Sequence, residues 1–348
     1  MTMPPAPSRS IVEAMELPRI IRLRPNLYAA AFGLMKLLPA RYMLDRAEQR
    51  GELEPGTAVL ETSSGTFGLG LAMVCRLRGY QLALVGDPAI DPALRRRLRY
   101  LGARVEICEQ PSPEGGFQRA RLDRLDALRE QYPRHYIPGQ YGNPDNPGAY
   151  AAVAEQLAET IGKPDCLVGA VGSGGSTGGT GSFLRLVAPE LRVVGVDTPG
   201  STIFGQPDRP RLLRGLGNSL LPPNVRHENY DEVHWVGAAE AFRSTRSLHS
   251  THALYMGPTS GAAFLVADWW ARTHPEAKVV VLLADEGHRY QDSVYSDDWL
   301  LAQGVDPGPR PPAEPRELGH PNEDCGEWAW MDWGRRSLDQ ALGRLVAA

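Results

Sequence analysis

The sequence predicts an α/β fold with mostly parallel sheets, divided between two domains. The first observation is length, because 348 residues can hold two domains of ordinary size. The second is an alternation of short apolar runs with helical patterns, which is typical of parallel sheets. The third is a pair of glycine- and hydroxyl-rich turns, Glu61–Gly68 and Gly172–Gly179, each between a predicted strand and a predicted helix.

The N-terminal half supplies the first alternation. A short helix is predicted at Ile11–Glu16, and two extended runs, Arg19–Leu23 and Leu27–Phe32, meet at a proline that disfavours helix. Pro39 favours a helix start, so a helix is expected over Ala40–Arg50. The next predicted elements are strand Thr57–Leu60, helix Leu69–Arg78, strand Gln81–Val85, helix Pro92–Leu101, strand Arg104–Cys108 and helix Phe117–Gln131.

The C-terminal half repeats the alternation. An irregular loop covers Gly139–Pro147, and after the second glycine-rich turn a helical pattern begins only around Ser182. Loop Leu212–Val225 is punctuated by glycine and proline. The other predicted elements are helix Tyr150–Ile161, strand Cys166–Val171, strand Leu191–Val196, helix Ala238–His249, a helix opening at Gly257–Gly261 and running to Trp270, and strand Val279–Leu283.

The chain changes character beyond about residue 305. Pro307–Pro315 is rich in proline, and a final helix is predicted at Ser337–Ala347. Trp328, Trp330 and Trp333 lie between them, and tryptophans in such a segment dock either on the body of the protein or on a second subunit.

Composition excludes several classes of protein. The formal net charge of −4 gives no electrostatic case for nucleic acid binding. No apolar run reaches transmembrane length, and the first ten residues lack the features of a signal peptide, so no membrane partner is expected. The 4 cysteines are scattered, which favours reduced thiols in the cytoplasm over a disulfide or metal site.

The second glycine-rich turn has the geometry of an anion site, because backbone N–H groups converge where a strand turns into a helix. A P-loop is excluded because no lysine closes the motif, and a dinucleotide fingerprint fits poorly because Thr177 stands at its third glycine. Two interpretations remain: a turn without a ligand, or a site for the phosphate of pyridoxal phosphate, which needs a lysine elsewhere.

Lysine is rare in this chain. Lys36, Lys163 and Lys278 are the only lysines among 37 basic residues, and arginine cannot replace lysine in a Schiff base. Lys163 and Lys278 are typical of solvated ends of elements. Lys36 is flanked by apolar residues in Leu34–Leu38, so it is either a desolvated amine nucleophile or a lysine on an amphipathic helix.

Taken in order, these segments resemble the cysteine synthase (O-acetylserine sulfhydrylase) and cystathionine β-synthase family of fold-type II pyridoxal-phosphate enzymes, from Arg19 to Tyr290. Lys36 stands at the position of the family's Schiff-base lysine. The segments that carry the rest of the likeness are Thr62–Gly68 (substrate carboxylate loop), Gln140 with Asn143-Pro144 and Asn146-Pro147, Gly172–Ser176 (phosphate cup), Arg214–Gly217 and Gly257–Gly261.

The resemblance implies a tryptophan synthase β-like fold of two three-layer α/β domains, and a homodimer. It implies a smaller domain over 45–147, a larger cofactor domain over 1–44 and 148–304, and a tail over 305–348. The cofactor-binding residues it implies are Lys36, Thr66, Gly172, Ser173, Gly174, Gly175, Ser176, Thr177 and Glu286. The substrate-binding residues it implies are Thr62, Ser63, Ser64, Gly65, Thr66, Gln140 and Gly215.

Three positions depart from the family pattern. Leu34–Leu38 is apolar around the lysine, and Thr66 replaces an asparagine that contacts the cofactor. Where the family places a serine near the pyridine nitrogen, this chain has Glu286, or Asp285 if the register slips by one. A carboxylate there would keep the nitrogen protonated and the ring a stronger electron sink, unless both acids face solvent.

The function implied is a transferase of amino-acid biosynthesis. Lys36 acts as catalytic base, an O-activated L-serine (O-acetyl- or O-phosphoserine) loses its leaving group through an aminoacrylate, and a nucleophile adds to give cysteine or a related β-substituted alanine. The departures favour a specialised synthase. The alternatives are a pyridoxal-phosphate lyase or racemase using quinonoid chemistry, and a non-catalytic ligand-binding α/β protein.

Overall fold

A computed structural model of the chain describes residues 7–63, 65–114, 116–308 and 313–344. Among these residues, none of the helices combines the length and the apolar character needed to cross a bilayer. The strands are β1 Arg19–Arg24, β2 Leu27–Ala31, β3 Ala58–Thr62, β4 Gln81–Gly86, β5 Arg104–Ile107, β6 His135–Tyr136, β7 Cys166–Ala170, β8 Arg192–Asp197, β9 Glu232–Val236, β10 Val279–Leu283, β11 Arg316–Glu317 and β12 Trp328–Asp332. The helices are α1 Ile11–Met15, α2 Leu37–Gln49, α3 Thr66–Arg78, α4 Pro92–Tyr100, α5 Gly116–Gln131, α6 Asp145–Gly148, α7 Ala151–Ile161, α8 Ser176–Leu184, α9 Ala238–His252, α10 Pro258–Thr273, α11 Asp297–Ala302 and α12 Leu338–Ala341.

The chain divides into two compact units. Unit 1 comprises Met1–Pro18 and Gly33–Gly139, and unit 2 comprises Arg19–Phe32 and Gln140–Ala348. The family resemblance implied a different division into functional domains, 45–147 and 1–44 with 148–304. That division stays a prediction.

Unit 1 contains a four-stranded sheet in the order β5-β4-β3-β6, with every neighbouring pair parallel. All five residues of β3 are buried, as expected for a parallel strand covered on both faces. Helices α2 and α3 pack closely, because Gly70 of α3 lies against the start of α2. A Cβ at Gly70 would stand 2.8 Å from the backbone oxygen of Lys36.

Unit 2 contains an eight-stranded sheet in the order β1-β2-β10-β7-β8-β9-β12-β11. Its centre, from β2 to β9, is parallel, while β1 and β12 join it antiparallel. The apolar sequence of β10, Val279–Leu283, is buried throughout, because this strand lies between two parallel neighbours. The predicted α/β architecture is confirmed in both units.

The tail docks on the rest of unit 2. Trp328 and Trp333 contact the body of the protein, which was one of the two predicted alternatives. Strand β12 pairs with β9, and the Trp328 indole donates a 3.0 Å hydrogen bond to Nδ1 of His234. Trp333 is fully buried, with its ring centroid 5.1 Å from that of Phe204 in an edge-on contact. The tail is therefore part of the large sheet and its core.

Several predicted boundaries were wrong. Helix α8 begins at Ser176, not around Ser182, so half of the glycine-rich run is helical. Its glycines are needed for close packing: a Cβ at Gly179 would stand 2.5 Å from the Pro147 oxygen. Helix α2 begins at Leu37, before Pro39, because proline is tolerated in a first helical turn.

Other elements were not predicted, namely β6, β9, β11, β12, α6 and α11. The final helix was predicted over Ser337–Ala347, but the described helix is the single turn Leu338–Ala341. Residues 345–348 lie outside the described residues.

Candidate active site

Lys36 lies in unit 1 at the residue that precedes α2. Its neighbours Leu34, Met35, Leu37 and Leu38 are all at most 6% exposed, so the apolar flanks seen in the sequence form a buried shell. The backbone oxygen of Lys36 packs against Gly70 of α3, where there is no room for a side chain. Lys36 therefore lies at a helix start between apolar neighbours that are themselves buried.

This shell changes the chemistry of the Lys36 amine. Burial lowers the pKa of Lys36 from its usual value near 10.5 to about 8, because desolvation penalises the ammonium form. A substantial fraction is therefore neutral near pH 8, and a neutral amine is the form that attacks a carbonyl carbon.

The turn at residues 62–66 lies in the same unit, between β3 and α3. Ser63 is buried, and its hydroxyl oxygen accepts hydrogen bonds from Gly65 N at 3.3 Å and Gly68 N at 3.0 Å. The Ser63 side chain therefore stabilises the turn. Within the first turn of α3, which begins at Thr66, the N–H of Gly68 is thus already used. The other N–H groups of that turn have no acceptor inside the helix and can serve an anion. Ser64 lies outside the described residues.

In unit 2 the second glycine-rich turn runs from the end of β7 into α8. Gly174 has φ +82°, and a Cβ there would stand 2.5 Å from the Asn224 oxygen. A Cβ at Gly175 would stand 2.2 Å from Oδ1 of Asn146. Only glycine fits these two positions, so the backbone is exposed as a cradle at the start of α8.

Hydroxyl side chains and one amide complete this cradle. Ser173, Ser176 and Thr177 are all buried, and the Thr177 hydroxyl donates to Ala170 O at 2.9 Å. Asn146 is 1% exposed, and its amide donates to Ser173 Oγ at 3.2 Å.

The same Asn146 amide donates to Gln140 O at 2.6 Å. The predicted substrate residue Gln140 and the cradle are thus joined by one buried side chain. Oδ1 of Asn146 has no hydrogen-bond partner among the described residues.

A further contact links the cradle to the loop around Gly215. The Gly215 oxygen lies 3.4 Å from where a Cβ of residue 172 would stand, and Gly217 N donates to Val171 O at 2.9 Å. The Thr259 hydroxyl in turn donates to Arg214 O at 3.1 Å. Unit 2 therefore brings together the 172–177 turn, Gly215 and the start of α10.

The two acids that follow β10 differ sharply in environment. Asp285 is 5% exposed, and its Oδ2 accepts a 3.0 Å hydrogen bond from the Tyr290 hydroxyl. Burial raises the pKa of Asp285, opposed by the nearby Arg289 guanidinium. The Glu286 side chain is 36% exposed and pairs with Arg19 at 3.0 Å. Only Asp285 is in a buried setting.

Each unit, taken by itself, contains groups that fit pyridoxal phosphate. The cradle supplies backbone N–H groups and serine hydroxyls for a phosphate without a cationic side chain, as helix N-termini commonly do. The Thr177 hydroxyl is not one of these donors, because its proton is given to Ala170 O. Lys36 supplies an amine of lowered pKa for an aldehyde, and Asp285 supplies a buried carboxylate.

Comparison with known protein families decides the class. The pyridoxal-phosphate dependent enzyme family matches residues 28–285, which is most of the chain. The chain belongs to this family. Its cofactor is pyridoxal phosphate, as predicted.

Relatives narrow the group within the pyridoxal-phosphate dependent enzymes. The chain is 34% identical over 308 residues to N-(2-amino-2-carboxyethyl)-L-glutamate synthase of Ralstonia nicotianae, covering 84% of this chain and 91% of that one. It is 35% identical over 275 residues to the synthase of the same name from Cupriavidus metallidurans, covering 77% and 80%. The crystal structure of the O-acetylserine dependent cystathionine β-synthase of Helicobacter pylori matches with a TM-score of 0.77 at 26% identity, covering 84% and 100%.

These findings confirm the predicted family resemblance, the fold-type II class and the cofactor. The chain is a pyridoxal-phosphate dependent enzyme of the cysteine synthase-like group, which makes β-substituted alanines by β-replacement. The synthase names favour this over the lyase, racemase and non-catalytic alternatives. The individual site residues stay predictions.

Three residues of this pyridoxal-phosphate enzyme were not among its predicted site residues. Asn146 and Asn224 carry the contacts that hold the cradle, and Thr259 anchors the loop at Arg214. The repeated Asn-Pro pairs at 143–147 were a usable signal for Asn146. No local pattern marks Asn224, since it reaches Asn143 O across 81 residues of chain.

Gly175→Ala is expected to abolish stable cofactor binding. The added methyl would stand 2.2 Å from Asn146 Oδ1, so either the cradle or the Asn146 bridge must move. Cofactor content after dialysis, read from the visible absorbance, measures the effect. Gly319→Ala is a control for expression and handling, because a Cβ there meets only Glu323 Oε1, at 3.4 Å, and the backbone is not in the left-handed region. Full cofactor content in Gly175→Ala would contradict the assignment of the cradle.

The lowered pKa of Lys36 predicts how cofactor-free enzyme takes up pyridoxal phosphate. The neutral amine is the reactive form, so the uptake rate should rise with pH, with a midpoint near pH 8 rather than 10.5. Stopped-flow absorbance over pH 6.5–10, a range of about 3.5 units, would resolve that midpoint. A rate that climbs steadily to pH 10 would show that Lys36 is solvated.

Proposed function

We propose that this enzyme joins the amino nitrogen of L-glutamate to the β-carbon of an O-activated L-serine, giving N-(2-amino-2-carboxyethyl)-L-glutamate. The observation that carries the proposal is the match to two synthases of that name, at 34% and 35% identity over most of the chain. The product name describes an alanine whose β-carbon bears the glutamate nitrogen, which is a β-replacement product.

The reaction balances without an oxidant or reductant. The bond between the serine β-carbon and oxygen breaks, and its electrons leave with acetate or phosphate. A bond from the glutamate nitrogen to the β-carbon forms, and that nitrogen loses a proton. When bound, pyridoxal phosphate withdraws electrons from the α-carbon of the attached amino acid and so makes the loss of the α-proton possible.

Lys36 is the residue that would hold the cofactor aldehyde in the resting enzyme and then move the α-proton at its Nζ. Its lowered pKa supports both roles, because a neutral Nζ can act as nucleophile and as base. The buried cradle at residues 172–177 would hold the phosphate. Thr66, at the start of α3, is placed by the resemblance near the cofactor ring.

Asp285, rather than Glu286, would hold the pyridine nitrogen. Its burial and its hydrogen bond from Tyr290 support this choice, while Glu286 is already paired with Arg19. A carboxylate in a dry site keeps a bound pyridine nitrogen protonated more effectively than an exposed one.

The serine carboxylate would be held by backbone N–H groups of the turn at 62–66, together with Gln140 and Gly215. The Ser63 hydroxyl would act indirectly, because it accepts hydrogen bonds from Gly65 N and Gly68 N and so stabilises the turn. Those two N–H groups are used within the turn and are not counted among the donors to the carboxylate.

We also propose that the enzyme is a cytoplasmic homodimer, as the family resemblance implies. The free thiols Cys75, Cys108, Cys166 and Cys325 suit a reducing compartment. Light scattering of the purified holoenzyme, at a chain mass of 38.0 kDa, tests the dimer.

The function is tested with purified holoenzyme, L-glutamate labelled with ¹⁵N at the amine, and either O-acetyl-L-serine or O-phospho-L-serine. Mass spectrometry is expected to show a product that retains the label and carries the three added carbons. Parallel reactions with sulfide instead of glutamate measure competing cysteine synthesis. Cysteine formed from sulfide, with no labelled product from glutamate, would contradict the proposal, as would pyruvate accumulating at the same rate with and without glutamate.

A further inference from the structure

Two arginines on the loop after β8 have opposite environments. The Arg211 guanidinium donates to Asp208 Oδ1 at 2.8 Å and to Ser219 Oγ at 2.7 Å, so its charge is used within the loop. Arg214 is exposed, and its side chain has no ion pair or hydrogen bond among the residues that the structure describes. An arginine without a partner is open to a ligand.

The backbone of Arg214 is nevertheless fixed. Its carbonyl oxygen accepts the 3.1 Å hydrogen bond from Thr259, and the next residue, Gly215, is held at φ +95°. A Cβ at Gly215 would stand 2.4 Å from the Thr259 hydroxyl, so this turn is tightly packed. A fixed backbone restricts where the Arg214 guanidinium can reach, which lowers the entropy cost of binding a ligand there.

Arg214 belongs to a loop that contacts the phosphate cradle. Gly215 approaches Gly172 of the phosphate cradle, and Gly217 is hydrogen-bonded to Val171 at the start of the same cradle. Arg214 therefore directly precedes a segment that touches the cradle. The backbone of Arg214 is therefore next to a contact with the cradle in unit 2, although the two segments are far apart in the sequence.

The reactants of the proposed function bring more anionic groups than the assigned residues serve. The cradle accounts for the cofactor phosphate, and the turn at 62–66 with Gln140 accounts for the serine carboxylate. L-Glutamate adds two carboxylates, and none of the residues assigned so far has a positive charge for them. A guanidinium binds a carboxylate through two parallel hydrogen bonds, which gives geometric selection as well as attraction.

We propose that Arg214 binds a carboxylate of the amino-acid nucleophile and so selects L-glutamate. This assignment rests on the proposed function, because it names the residue that recognises that nucleophile. Arg214 is a substrate-binding residue in this scheme, and its loss is expected to weaken nucleophile binding without removing the cofactor or the chemistry.

The test compares Arg214→Gln and Arg214→Lys with wild-type holoenzyme and with Arg209→Gln. Arg209 is an exposed arginine of the same loop, so the control makes the same change of charge nearby. With O-acetyl-L-serine as donor, the KM for L-glutamate should rise about tenfold or more in Arg214→Gln, the size of a charge-assisted hydrogen bond. Arg214→Lys should be intermediate, and Arg209→Gln should match wild type.

Four further readouts separate an effect on binding from an effect on structure. Melting temperature, cofactor absorbance and the KM for O-acetyl-L-serine should be unchanged in Arg214→Gln. If Arg214 binds the side-chain carboxylate, the preference for L-glutamate over L-glutamine should fall in Arg214→Gln. If Arg214 binds the α-carboxylate, the preference should persist and the KM values for L-glutamate and L-glutamine should both rise.

Three results would overturn the assignment. An unchanged KM for glutamate in Arg214→Gln would refute it while leaving the proposed function intact. A raised KM for O-phospho-L-serine alone would show that Arg214 binds the phosphate of the donor instead. A wild-type enzyme that makes no product from glutamate would refute the proposed function first, and Arg214 selection with it.

Discussion

Lys36→Ala is expected to reduce product formation by about 10³-fold or more, because one residue supplies both the cofactor linkage and the proton transfer. The variant should fold, since alanine suits the buried shell of leucine and methionine around position 36 better than an amine does. The cofactor should then bind only through its phosphate and ring contacts, and dialysis should remove it. Turnover and the visible absorbance of the dialysed protein measure both effects.

The scarcity of lysine makes the control for this variant unusually clean. Lys163 and Lys278 are the only other lysines in the chain. Lys163 is exposed, and Nζ of Lys278 donates to Ile161 O at 2.6 Å, so neither has the buried apolar flanks of Lys36. Lys163→Ala should keep full activity and full absorbance. A lysine-bound cofactor band that survives in Lys36→Ala would show that the catalytic lysine has been misassigned.

The importance of Lys36 was predictable from sequence because the evidence for it is local. The immediate neighbours of Lys36 are apolar in the sequence, and Leu34, Met35, Leu37 and Leu38 are all buried in the structure. The strands of both sheets were predictable for a similar reason, since runs such as Val279–Leu283 are apolar throughout.

Strand β9 was not predicted because two of its buried residues are polar. Glu232 and His234 are polar, yet both are buried, and they satisfy each other through a 2.7 Å contact. The pairing of β9 with β12 spans about 95 residues of chain, and only the folded sheet shows that the tail completes this edge. Long-range pairing leaves no periodic signal in either segment alone.

The start of α8 was misplaced because glycine in a helix reads as a turn. Propensity disfavours a helix through Gly178 and Gly179, but the close packing of Gly179 against Pro147 leaves no room for a side chain there. Tertiary packing therefore overrides local preference at this site. The Asn146 bridge is similarly invisible, because it depends on the approach of two loops.

The choice between Asp285 and Glu286 was also beyond the sequence. Both acids follow β10 directly, and a shift of one residue exchanges their faces. Burial distinguishes the two acids, because Asp285 is buried and Glu286 is partly exposed.

Asp285→Asn is expected to lower kcat about 100-fold, the size of one electrostatic contact in a dry active site. The carboxylate would be replaced by a neutral amide of the same shape, so packing against Gly257 and the hydrogen bond with Tyr290 can persist. The bound pyridine nitrogen would then be harder to keep protonated, and the ring would withdraw electrons from the α-carbon less strongly. The KM values and the Lys36-bound cofactor band should change little, because neither depends on that proton.

Glu286→Gln is the matched control, since it makes the same chemical change one residue away. Glu286 is partly exposed and pairs with Arg19 at the surface, and such a pair contributes little to stability. This variant should keep near wild-type kcat. A loss of kcat in Glu286→Gln with Asp285→Asn unaffected would restore the register in which Glu286 holds the nitrogen.

Asp285→Ser then decides whether the carboxylate is needed or only a hydrogen-bonding group. Serine is the residue that the family has near the pyridine nitrogen, and a hydroxyl cannot hold that nitrogen in its protonated form as a carboxylate does. If Asp285→Ser falls with Asp285→Asn, the negative charge itself supports the reaction. If Asp285→Ser keeps wild-type kcat, the buried carboxylate is not needed as a partner for the pyridine nitrogen, and the need for a stronger electron sink is refuted.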